Sequence, residues 1–151
     1  MKNKEMILDI MRRQGRADAL ELRSVAKDLS GTELIAREAQ APMFDPKKDY
    51  SSWPVGAPVA DGGQVWTLLQ PYNAAHYSGR PADLRALWGL AHTKDPQQAK
   101  PWVAPLGTSG LYALDEVCIH EGRVWRNRRA NNEYPPSTIG AEEFWEMIRE
   151  V

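Results

Sequence analysis

One stretch of this chain is written twice. Val59, Gly63, Trp66, Asn73, Pro81 and the pair Leu87-Trp88 recur as Val117, Gly122, Trp125, Asn132, Pro135 and Phe144-Trp145. Gly63 to Gly122, Trp66 to Trp125 and Asn73 to Asn132 share an offset of 59 residues; Val59 to Val117 is one shorter, as a single-residue change in a turn would leave it. A repeat unit of about forty residues buries little surface by itself, so it must enclose large rings or lean on neighbours. Six tryptophans in 151 residues supply the rings. Small modules used in tandem typically serve binding.

The pattern predicts an α+β chain: an N-terminal helical segment followed by two small, mainly antiparallel β modules. Residues 1–41 form the helical segment, with Ile7, Ile10 and Met11 on one face, Gly15 as a break, and Ser30 or Thr32 as the cap of a short second helix. Such a helix cannot hide its apolar face alone. It must pack on the modules or on copies of itself, and the sequence leaves both open. Residues 42–54 read as an extended, Pro- and Asp-rich connector pinned across module one by Phe44 and Trp53. Module one covers 55–90, with a hairpin turning at Asp61-Gly62-Gly63, a linker covers 91–104, and module two covers 105–151 with its turn at Glu121-Gly122. Each module closes in a short helix or strand, Leu84 to Leu90 and Ala141 to Arg149.

Nineteen basic against twenty acidic residues leave a net charge of −1, so there is no broad field for nucleic acid. The one basic cluster, Arg123, Arg126, Arg128 and Arg129, reads as a solvated hairpin face. Cys118 is the sole cysteine, which excludes an intramolecular disulfide and a thiolate zinc site. No apolar run suggests a membrane span or a signal-peptide core. The chain is expected to be made in the cytosol and, if it acts outside, to be released by lysis.

The segments Tyr112-Ala-Leu-Asp115-Glu-Val117, Gly122-Arg-Val-Trp125, Asn132-Glu-Tyr134-Pro135 and Trp145-Glu-Met-Ile148 resemble the small chitin- and cellulose-binding modules of carbohydrate-binding families five and twelve. Val55-Gly56-Ala-Pro-Val59 with Gly63, Trp66 and Leu87-Trp88 is similar to a degenerate copy. The Asn-x-aromatic-x-Pro variant, Gly31-Thr-Glu-Leu-Ile35 and Tyr50-Ser-x-Trp53-Pro resemble copies carried by phage and prophage tail or virion proteins. The resemblance covers about two thirds of the chain. It implies a non-catalytic virion component, such as a tail fibre or spike, that binds a bacterial surface glycan and assembles with other virion proteins as a homo-oligomer, a trimer by analogy. It implies no cofactor. The sequence departs from the pattern where Ala57 replaces the expected Asp and Leu114 the expected Gly. A purely structural virion protein remains the alternative.

Sugars stack on exposed rings through their apolar faces. Trp66, Trp88, Trp125 and Trp145 stand at hairpin and closing positions and read as core. Tyr134, Tyr77, Trp102, Tyr72 and Trp53 have polar or Pro neighbours and are the candidate platforms, each with the alternative of capping the core. Asn132 and Asn73 either bind a sugar hydroxyl or tie down the loop before a proline. For catalysis, Glu142-Glu143 and Asp115-Glu116 are adjacent carboxylates whose side chains diverge. His76, His92 and His120 lack ligand spacing, and no nucleophile elbow or phosphate loop is present. An enzyme is not expected.

Overall fold

The computed structural model describes residues 2–140 and 142–151. The chain is α+β: an N-terminal helical segment, then two separate three-stranded antiparallel sheets. Helix α1, Lys2–Val25, runs unbroken through Gly15, against the predicted break. A helical glycine costs about 1 kcal/mol relative to alanine, too little to end a 24-residue helix. Leu22 near its C-terminal end and Ala26 just beyond it pack on Leu34 of α2, Gly31–Ala36. Met6, Ile7, Ile10 and Met11 at its other end remain exposed. Ser30 caps α2 in a reciprocal box: its hydroxyl accepts from Glu33 N, while the Glu33 carboxylate accepts from Ser30 N. Gly31 abuts the backbone of the 91–104 segment; a Cβ there would lie 2.2 Å from His92 O.

Module one pairs β1, Pro58–Asp61, with β2, Gln64–Leu68, and β2 with β3, Trp88–Leu90. Both turn residues, Gly62 and Gly63, have positive φ, which a tight two-residue hairpin requires. Alternation along β2 sends Val65 to Ile35 of α2, while Trp66 and Leu68 enter an aromatic core with Phe44, Tyr50, Tyr72 and Trp88. Module two repeats the plan with β4, Val117–His120, β5, Arg123–Asn127, and β6, Trp145–Glu150. Both closing segments therefore end as strands, each after a 3₁₀ turn; the predicted start at Ala141 lies outside the described residues.

The registers correct the repeat at one point. Val59 lies opposite Trp66, and Cys118 lies opposite Trp125. Cys118, not Val117, is thus the partner of Val59, and no residue is lost in the turn. Val117 and Cys118 are both buried, so apolarity alone could not set the phase. The offset of 59 also holds further out. Gly56 (φ +94°) donates its N–H to Leu68 O, and Asp115 (φ +71°) donates to Asn127 O. Asp115 therefore stands where module one has glycine, a left-handed position that Asp tolerates better than most side chains.

The repeat also reaches back into both supposed connectors. Phe44 N donates to Ala60 O and Ala60 N to Pro42 O; in module two, Trp102 N donates to Ile119 O and Ile119 N to Lys100 O. Each strap adds a short parallel bridge to the free edge of its hairpin, covering backbone groups that would otherwise be unpaired. The 91–104 segment is no loose linker. Val117 N donates to Thr93 O, Lys94 N to Thr32 Oγ1, and the Gln64 side chain to Pro101 O. No helix among the described residues is long and apolar enough to cross a membrane.

Candidate functional site

The indoles at hairpin positions brace the turns. Trp66 Nε1 donates to Asp61 O at 3.2 Å, and Trp125 Nε1 donates to His120 O at 3.1 Å. The closing indoles are buried against a tyrosine: Tyr50 meets Trp88 edge-on at 5.3 Å, and Tyr112 meets Trp145 at 5.5 Å. Each of these tyrosines anchors its strap through its hydroxyl, which accepts from Asp45 N in module one and from Val103 N in module two. Burial pushes both phenol pKa values up.

Against this frame, the candidate platforms separate. Tyr72 is 6% exposed, and its hydroxyl accepts from Trp88 Nε1 at 2.8 Å. It is a core ring with no free face for a ligand. Trp102 occupies the strap position of Phe44, half-buried against the Tyr112, Cys118 and Trp145 cluster. Trp53 is half-buried edge-on to Tyr50 at 4.7 Å, and the Arg23 guanidinium lies 4.2 Å from its ring centroid. A cation already takes a Trp53 face that a sugar would use.

Two candidates stay open to solvent. Tyr77 is 53% exposed and touches Tyr72 edge-on at 5.2 Å. Tyr134 is 42% exposed and lines a groove of about 280 Å³ with Thr138, Ile139 and Phe144. The two rings follow equivalent asparagines without being in register: Ala75, not Tyr77, takes the place of Tyr134. Asn73 Oδ1 accepts from Ala75 N, and Asn132 Oδ1 accepts from Tyr134 N, both at 3.0 Å. Asn132 is 1% exposed, and its amide donates to Asn127 Oδ1 at 2.9 Å. Both asparagines tie their loops, and Asn132 is spent on that role.

Asn127 was not among the residues that the sequence pattern singled out. It is fully buried, and its amide donates to the carbonyls of Tyr112, Ala113 and Arg129. Its strand neighbours are polar arginines, so nothing in the alternation marked it as interior. The arginine cluster is largely engaged: Arg128 pairs with Asp115 at 3.2 Å, Arg123 with Glu150 at 4.0 Å, and Arg129 covers the Phe144 ring at 4.5 Å.

Asp115 and Glu116 diverge as expected, the first toward Arg128 and the second accepting from Ala113 N. The Glu142 side chain lies outside the described residues, and Glu143 is exposed. His92 is stacked on Tyr112 at 3.8 Å, with Nε2 3.0 Å from Gly110 O. Burial lowers its pKa, which keeps the imidazole neutral so that Nε2–H donates to that carbonyl. Burial pushes the Cys118 thiol up to about 12, which leaves it unreactive at neutral pH. Among the described residues no three His, Cys, Asp or Glu side chains gather as a metal-holding group.

No family model matches the chain, and no curated protein matches it as a relative.

Proposed function

We propose that the chain is a non-catalytic, carbohydrate-binding adhesive component of a phage or phage-like particle, such as a tail fibre, spike or surface decoration, that contacts a bacterial surface glycan. One observation carries the reading: the two β-hairpins share one register, and each unit shows a solvent-facing tyrosine, Tyr77 or Tyr134, in the loop after the same asparagine. An open ring without a deep cleft suits weak stacking on a sugar, and weak sites become useful when several copies act together. The exposed Met6, Ile7, Ile10 and Met11 face of α1 supports self-association, and we take the assembly to be a trimer. A bacterial cell-wall pull-down with Tyr134→Ala and Tyr77→Ala tests the sugar sites. Binding should fall at least several-fold, and binding untouched by both changes would remove the proposed platforms. Light scattering on Ile7→Glu with Ile10→Glu tests the assembly, since both side chains are exposed in the single chain; the variant should run as a monomer.

A second reading is a structural virion protein whose modules serve as spacers or docking sites. It is favoured by Tyr77 and Tyr134 being out of register, because a duplicated binding site would keep its key ring in one place.

A further inference from the structure

A groove of about 480 Å³ lies between α1 and the strap over module one. Arg16 and Arg23 of α1 and Lys48 of the strap line it, with one carboxylate, Asp45, and with Trp53 and Met43 among its apolar walls. None of the three cations has an ion-pair partner among the described residues. Asp45 is already engaged, its Oδ1 accepting from Lys47 N at 2.9 Å.

The chemistry of the groove follows from Arg23. Its Cζ lies 4.2 Å from the Trp53 centroid, and Lys48 Nζ lies 5.6 Å from the same ring. Stacking on an indole fixes the plane of a guanidinium while leaving its N–H edge free. Partial burial without a counter-ion lowers the Arg23 pKa, the sign of a charge that has lost water and gained no anion. An oxyanion in the groove would take two parallel N–H···O bonds from a side chain already held in place, so little further freedom is lost. A neutral sugar would find the Trp53 face beneath Arg23 already covered.

We propose, resting for the glycan on the function proposed above, that this groove binds an acidic glycopolymer through the carboxylates or phosphates spaced along its chain. Neither Tyr77 nor Tyr134 lines the groove, so the site stands whether or not those rings hold sugar.

The test is titration of the intact protein at low ionic strength, following the Trp53 indole N–H resonance by NMR and the heat of binding. The probes are oligogalacturonate, poly(glycerol phosphate) and, as neutral control, chitotetraose. At least one acidic chain should shift the Trp53 resonance, and added salt should weaken its binding; whichever binds identifies the oxyanion. Arg16→Gln and Lys48→Gln lie at the rim and spare the packing. Together they should weaken binding about tenfold, the size expected when charged hydrogen-bond partners are removed. Tyr77→Ala and Tyr134→Ala should leave it unchanged. The proposal is overturned if neither acidic chain moves the resonance. It is also overturned if the neutral control binds as well as they do, or if the double variant binds like the parent.

Discussion

The two modules share a frame and differ in what fills it. Module one closes around rings: Phe44, Tyr50, Tyr72 and Trp88 pack with Leu68 in one apolar cluster. In module two the position of Leu68 is taken by Asn127, which binds three carbonyls and the Asn132 amide. The Trp88 N–H goes to a side chain, Tyr72 Oη; the Trp145 N–H goes to a backbone carbonyl, that of Tyr134. Strand register and turn geometry are therefore set by backbone requirements, while the interior is free to be apolar or polar. The apolar version fails gradually when an atom is lost. The polar version fails abruptly, because its loss leaves the buried Asn132 amide without an acceptor.

The largest effect should come from exchanging these interiors. Asn127→Leu removes the amide bonds to three carbonyls and leaves the buried Asn132 amide without its acceptor; it should cost about 3–5 kcal/mol, read by urea denaturation. Leu68→Asn places an unpaired amide among rings and should cost about as much. A neutral outcome for either would mean that the interiors are interchangeable, which contradicts the contrast. The closing indoles come level with them. Trp88→Ala and Trp145→Ala should each cost about 3–5 kcal/mol. Separate melting of the two halves in these variants would show that the modules fold independently; a single transition would show that the stitched 91–104 segment couples them.

The frame was legible in the sequence, and the fillings were not. Paired Gly-Trp spacings marked both hairpins because a two-residue turn demands left-handed residues and the indole must brace it. Phe44 lies in the core of module one, and Trp53 packs against it. The strap's membership in the repeat was hidden, since Phe44 and Trp102 share only ring character and their bridges are made by backbone atoms. Asp115 hid as well, because its glycine-like role shows in φ and not in composition. Of the candidate platforms, Tyr77 and Tyr134 are exposed, whereas Tyr72 went to the core because Trp88 needed an acceptor. The groove at Trp53 draws on α1 and the strap, segments with no common pattern.

Acid should separate the halves. His92 packs on module two, and its depressed pKa means that the unfolded chain binds the proton more readily. Stability should therefore be flat above the ordinary imidazole value of about 6.5 and fall as pH drops below it. His92→Phe should flatten that slope, measured as the urea midpoint between neutral and mildly acidic pH. The smallest effect lies at the turns. Glu121 holds φ +52° where module one has Gly62. Glu121→Gly should stabilise by up to about 1 kcal/mol, and Gly62→Ala should destabilise by a similar amount.

The equivalence of the two units is tested most directly by cross-strand NOEs in the labelled protein. The account predicts contacts placing Val59 opposite Trp66 and Cys118 opposite Trp125. Contacts placing Val117 opposite Trp125 would break the common register and contradict the shared fold.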